Sequence, residues 1–203
     1  METLFSQTNV TKGERKKKMY KIFAIIGEAG SGKDTILRNV LSAHPGAHEI
    51  ISCTTRPPRD GEKEGVNYHY MTGEEFGQLI LENKMIEATC FNDWFYGTLL
   101  SSLDKDVVNI GVFNPSGVEA ILADPRVEAT VFYAATTDKI RLMRQLTREE
   151  NPNVDEIIRR FKADKADFCD LDFAYVELPN NNLDELNDAV MKIGMSLGDV
   201  RTI

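Results

Sequence analysis

Cysteine is scarce. The 203-residue chain holds three, Cys53, Cys90 and Cys169, far apart and outside any Cys-x-x-Cys pairing. That excludes a disulfide framework and a zinc knot, and it suits a reducing compartment. No apolar run reaches the length of about 18 residues that a membrane-spanning helix needs. Basic charge is also in short supply, with 24 Lys and Arg against 32 Asp and Glu, a net charge of −8. Such a balance argues against nonspecific nucleic-acid binding. Internal repeats are lacking, and His44, His48 and His69 fall at no metal-ligand or catalytic spacing. What remains is an ordinary globular composition, 42% hydrophobic and 28% charged. The length is that of one domain, able to bury a core without covalent or metal support.

Charge is uneven along the chain. Lys12 and Arg15 to Lys18 face only Glu2 and Glu14 in the first twenty residues, so the body is more acidic than the total suggests. Residues 1–18 are expected to form a solvated basic tail. This tail, followed by Ile22–Ile26, has the outline of a signal peptide. The apolar part is too short, however, and Gly27 to Lys33 replace a small-residue cleavage site. Secretion is not expected; a cytoplasmic location is.

Apolar runs bounded by turn residues predict strands at Tyr20–Ile26, Glu49–Cys53, Tyr68–Met71, Met85–Phe91, Val107–Phe113, Val127–Ala134 and Phe173–Leu178. Helical stretches alternate with them at Lys33–Ala43, Gly73–Asn83, Ser116–Ala123, Asp138–Glu149, Val154–Cys169 and Leu183–Leu197. Thr72 and Glu75 stand at capping-box spacing before the second of these. The alternation predicts an α/β fold around a parallel sheet. Residues 52–98 break the rhythm and read as an inserted lobe. Residues 144–164, charged and bent at Asn151-Pro152-Asn153, read as a mobile helical hairpin.

The first apolar strand runs into Gly27-Glu28-Ala29-Gly30-Ser31-Gly32-Lys33-Asp34-Thr35 and then a helix. Gly-x4-Gly-Lys between a strand and a helix is the phosphate-binding P-loop, whose glycines let successive N–H groups face inward. Lys33 is placed to reach the β- and γ-phosphates of ATP. Asp34 stands where a Ser or Thr usually ligates Mg²⁺, and Thr35 follows one position late. A second phosphate site is suggested by Ser52 to Tyr70, where prolines stiffen a loop carrying Arg56 and Arg59.

At this point the chain resembles the guanylate kinases. Ser52-Cys53-Thr54-Thr55-Arg56-Pro57-Pro58-Arg59, Gly61-Glu62, Gly65 with Tyr68, Glu74-Glu75-Phe76, Met85-Ile86-Glu87 and Phe95-Tyr96-Gly97-Thr98 follow that family's pattern from Lys21 to the last helix. The resemblance implies a P-loop parallel core (19–51, 99–143, 165–203), a nucleoside monophosphate-binding lobe (52–98) and a helical lid (144–164). It implies that Arg56, Arg59, Tyr68 and Tyr96 hold the GMP phosphate, and that Ser52, Glu87 and Thr98 address guanine. The chemistry agrees: guanine offers N1–H and N2–H₂ side by side, and one carboxylate accepts both. Adenine would set a lone pair against it. Trp94 and Phe95 are expected in the core of the lobe.

Arg144 and Arg148 lie on one helical face. The resemblance makes them, with Arg160, lid cations that close over both nucleotides. One extra residue between Arg148 and Arg160 leaves Arg159 as a candidate for the same place, and ion pairing with neighbouring acids such as Glu156 is the competing use. The family commonly ends the Val107–Phe113 strand with Asp-x-Asp; here Val112 and Asn114 occupy those positions. Asn114 retains hydrogen bonds for a base or ribose, whereas Val112 holds no metal. The expected activity is ATP-dependent phosphorylation of GMP or dGMP with Mg²⁺ held near Asp34 and Thr35, in a monomer or homodimer. Two alternatives stay open. One is a same-fold kinase for another phosphorylated substrate, against which Ser52, Tyr68, Glu87 and Tyr96 argue. The other is a non-catalytic binding module, against which Lys33 argues.

Overall fold

A computed structural model describes residues 19–200, apart from residues 59, 60, 92 and 149. The predicted basic tail lies outside the described residues. In chain order the elements are β1 (Tyr20–Ile26), α1 (Lys33–Ala43), β2 (His48–Glu49), β3 (Cys53–Thr54), β4 (His69–Tyr70), α2 (Gly73–Leu81), β5 (Met85–Phe91) and β6 (Trp94–Leu99). There follow β7 (Val108–Val112), α3 (Pro115–Ala123), β8 (Val127–Ala135), α4 (Asp138–Leu146), α5 (Val154–Asp167), β9 (Val176–Pro179) and α6 (Leu183–Val200).

Five strands form a parallel sheet in the order β2-β7-β1-β8-β9. Its central strand is β1, and alternate residues of β1 feed opposite faces. Phe23 and Ile25 join one apolar cluster with residues of α1 and α6, while Ile22, Ala24 and Ile26 join another with residues of α3. Burial on both faces explains the unbroken apolar run read from the sequence.

A second sheet, β4-β3-β6-β5, is built entirely from residues 53–99. Its small core of Cys53, Phe76 and Met85 lies under α2. Helix α2 begins as its sequence predicts. Thr72 Oγ1 accepts from the Glu75 amide, while the Glu75 carboxylate accepts from the Thr72 amide.

Four sequence expectations change. The strand predicted over Glu49–Cys53 divides, because β2 pairs with β7 in the large sheet whereas β3 pairs with β6 and β4 in the small one. Strand β6 is an addition, since Phe95-Tyr96-Gly97-Thr98 lacks an alternating pattern that would announce it; it turns back from β5 beside Asp93, whose φ of 63° is left-handed. Trp94 and Phe95 are exposed rather than core, at 39% and 44%. Phe95 stacks on Phe76 instead. Helix ends also shorten: α2 stops before Asn83, which turns left-handed, and α4 stops at Leu146.

Candidate active site

Strand β1, central in the parallel sheet, delivers the chain from its C-terminal end to the glycine loop. Gly30 and Gly32 have φ of +81° and +88°, left-handed values that favour glycine. Space is as restrictive as conformation. A Cβ on Gly30 would lie 2.6 Å from the Arg141 carbonyl oxygen, and one on Gly32 would lie 2.5 Å from Asn180 Nδ2. The Ser31 amide donates to Glu28 O at 3.0 Å and closes the turn. Gly32 is the N-cap of α1 and brings no side chain over the helix's first amides. Ser31 Oγ is buried without a hydrogen-bond partner. An uncapped helix start and an orphaned hydroxyl together fit a phosphate.

The outer side of the loop is fully engaged. Ala29 O accepts from Arg141 Nε at 3.2 Å and from Gln145 Nε2 at 3.3 Å. Gly30 O accepts from Arg144 Nη1 at 3.3 Å. Ser31 O accepts from Asn180 Nδ2, Thr136 Oγ1 and Arg144 Nη1 at 2.7, 3.0 and 3.2 Å. In a trans peptide the N–H points opposite to the C=O. Turning Ala29 O and Ser31 O outward therefore turns the Gly30 and Gly32 amides inward. Arg144, read from the sequence as a lid cation, here holds the loop from behind.

On the second sheet, Glu87 of β5 and Thr98 of β6 face each other in register. Thr98 Oγ1 donates to Glu87 Oε1 at 2.7 Å, and both side chains are buried. Burial pushes the Glu87 carboxyl up to about 7 against the opposing pull of that hydrogen bond. Helix α3 comes close: a Cβ on Gly117 would lie 3.3 Å from Glu87 Oε2. Asn114 caps α3 by accepting from the Gly117 amide at 2.7 Å, and its Nδ2 donates to Thr89 Oγ1 at 3.1 Å. Both ends of the Asn114 amide are thus used within the fold.

Arg56 is buried, donates to both oxygens of Glu62 at 3.0 and 2.9 Å, and lies over the Tyr68 ring. Tyr68 meets Tyr96 edge to face at 5.9 Å. Burial raises the Tyr68 phenol, with Tyr96 and Asp34 adding to the shift, so the carboxylate at the start of α1 lies within electrostatic reach of Tyr68. Ser52 is half-buried just before β3, and its carbonyl accepts from the His69 amide. Arg59 lies outside the described residues.

The helical pair α4 and α5 carries the other predicted cations. Arg148 is exposed beyond the end of α4. Arg159 and Arg160 both donate to Glu156, one and the same carboxylate, with closest contacts of 2.7 Å. These arginines hold the Glu156 carboxyl down to about 2. Asp34 is exposed in the first turn of α1 and Thr35 is half-buried beside it. Among the described residues no cluster of three or more His, Cys, Asp or Glu is placed to hold a metal.

Sequence reasoning missed Arg141 and Asp164. Arg141 is fully buried on α4, and Asp164 of α5 accepts from the Ala29 amide at 2.7 Å. A signal for them was present in Glu28. An acid inside a phosphate loop calls for a cation to neutralise it, and Arg141 Nη1 supplies one at 2.8 Å.

Residues 19–195 match the family model described as guanylate kinase. A guanylate kinase of Prochlorococcus marinus is 28% identical over 180 residues, covering 87% of this chain and 98% of the relative. One of Schizosaccharomyces pombe is 32% identical over 166 residues, covering 79% of each. The crystal structure of guanylate kinase from Anaplasma phagocytophilum superimposes with a TM-score of 0.63 at 20% identity, over 90% of this chain and 87% of that one. At that identity the superposition speaks for the fold.

Proposed function

The chain belongs to the guanylate kinase family, and we propose that it transfers the γ-phosphate of ATP to GMP or dGMP, releasing ADP and GDP or dGDP. The observation that carries this reading is the buried Glu87–Thr98 pair, combined with a glycine loop whose amides turn inward. A carboxylate at Glu87 accepts guanine N1–H and N2–H₂ together. With adenine it would face a lone pair, and buried polar mismatches of this kind discriminate strongly.

Residues 52–98 serve as the monophosphate-binding lobe. Arg56 and Arg59 meet the GMP phosphate with Tyr68 and Tyr96, Ser52 and Thr98 frame the base, and Asn114 orders the start of α3 beside it. Residues 144–164 serve as the lid. The loop from Gly27 to Thr35 cradles the ATP phosphates, with Lys33 against the β- and γ-phosphates. During transfer an oxygen of the GMP phosphate bonds to the γ-phosphorus as the bond to the β,γ-bridging oxygen breaks and ADP leaves. Positioning and charge neutralisation by Lys33, Arg56, Arg148 and Arg160 lower the barrier, and lid closure excludes water.

Mg²⁺ generally accompanies ATP in this family. Its usual needs are one or two carboxylates, phosphate oxygens and retained waters. Asp34 and Thr35, accessible at the start of α1, fit that donor set. When bound, the ion neutralises charge on the β- and γ-phosphates. The three cysteines form no disulfide, in keeping with a cytoplasmic location.

The test is an ADP-release assay over a panel of nucleoside monophosphates. GMP and dGMP should be preferred over AMP, CMP and UMP by orders of magnitude. Equal use of AMP would remove guanine recognition from the proposal.

A further inference from the structure

Arg141 has no part in the chemistry just described, yet it is the largest fully buried side chain among the described residues. A buried guanidinium is costly unless each of its donors is met. Here all three nitrogens donate, in four hydrogen bonds. Nη1 donates to Glu28 Oε1 at 2.8 Å and to Asp138 Oδ1 at 3.2 Å. Nη2 donates to Asp164 Oδ2 at 3.1 Å, and Nε to Ala29 O at 3.2 Å. The Phe161 ring lies beneath the guanidinium at 4.6 Å.

The partners come from three separate segments: the apex of the phosphate loop, α4 and α5. Asp164 closes the circuit, because the oxygen that accepts from Arg141 also accepts from the Ala29 amide. Glu28 is held from its other side by the Tyr133 hydroxyl, which donates to Oε2 at 2.8 Å. Both polar groups of Ala29 thus depend on this cluster, and Ala29 O is one of the carbonyls whose outward turn aims the Gly30 amide inward.

We propose that Arg141 is a positioning residue for ATP, which together with Glu28 and Asp164 bolts the C-terminal end of α5 to the phosphate loop, as a fixed base for the lid, and holds the loop amides in their phosphate-facing orientation. This rests on the ATP-binding role assigned to the loop. No residue of the cluster belongs to the second sheet, so the effect falls on ATP and spares GMP. A guanidinium is required, since a lysine ammonium is a point charge that reaches one partner at a time rather than a fork that bridges several.

Calorimetric titration of ADP and ATP, with steady-state kinetics in both substrates, tests this on the full chain. Asp164→Asn and Arg141→Lys should weaken ATP and raise its KM by about tenfold or more, the scale of a misplaced binding group, with KM for GMP within about twofold of wild type. The triple variant Glu28→Gln/Arg141→Met/Asp164→Asn leaves no buried charge in the bridge. Its Tm should return toward wild type while ATP affinity stays low. Recovery of ATP affinity along with Tm, or a joint shift of both KM values, would overturn the proposal. Glu28→Gln removes the charge that faces Arg141 while keeping one acceptor oxygen, and is the variant to read should the others not fold; unchanged ATP affinity in it counts against the bridge. Wild-type protein that binds no ATP would instead overturn the function on which the proposal rests.

Discussion

The Thr98 hydroxyl donates to the Glu87 carboxylate at 2.7 Å across two paired antiparallel strands, in a setting that buries both. The pair leaves Glu87 with one neutral donor and little water. Its carboxyl therefore rises from the ordinary 4.5 to about 7.

The sign of the resulting pH dependence follows. Between 4.5 and about 7 the unfolded chain has released this proton while the folded chain retains it, so the stability of the free protein falls as pH rises through that window. In the proposed base pocket, guanine needs the ionised form. Protonated Glu87 is not competent, and apparent affinity scales with the competent fraction. KM for GMP should fall about tenfold from one pH unit below that midpoint to one unit above it. A pH series of KM for GMP against KM for ATP checks this; a flat GMP profile would contradict it.

Glu87→Gln should reduce kcat/KM for GMP by about 2–3 kcal/mol, the cost of replacing a charged acceptor with a mismatched amide. The same variant should lose the pH dependence. Kinetics with GMP and IMP separate the contribution of the exocyclic amine, and wild-type behaviour with both would remove Glu87 from base recognition.

Asp34 adds an anion where ATP brings several. Without a divalent ion it would oppose ATP; with one, on the proposed reading, it would join the ligand shell. Wild-type ATP affinity should therefore fall more steeply on Mg²⁺ removal than that of Asp34→Ser, by up to about 1 kcal/mol, the scale of an exposed charge pair. Titrations with and without Mg²⁺ decide it. Equal dependence in the two proteins would leave Asp34 with only the favourable place of an acid at a helix N-terminus.

Arg159 and Arg160 share Glu156, but Arg160 is the less exposed of the two, at 34% against 47% for the side chain. Arg160→Ala should lower kcat about a hundredfold, as the loss of a donor to developing charge does. Arg159→Ala should leave kcat within a few-fold. The reverse ranking would move the lid cation to Arg159.

Much of the site is local, and the local part was legible. The seven residues of β1, the glycine loop and the capping box at Thr72 and Glu75 carry their signals within a few positions, as an apolar run, as closely spaced glycines before a lysine and as helix-cap chemistry, although only the capping box also has its partners there. Other features depend on partners far away in the chain. Whether residues 49–53 form one strand or two is set by which sheet pairs with each half, and those partners lie in β7 and β6. Strand β6 carries too little alternation to announce itself, and its pairing with β5 makes it a strand.

Arg141 marks the boundary most clearly. By its own residues it is one more basic position on an amphipathic, charged helix. Its contact with Glu28 spans 113 positions and its contact with Ala29 spans 112. Sequence alone determined that a Gly-x4-Gly-Lys loop after an apolar strand, an acid at Glu87 within a family-like pattern and a set of arginines are present. Which arginine enters the core, and which acids it must neutralise there, was decided only by tertiary structure, because the cost of burying a charge exists only once the chain has closed around it.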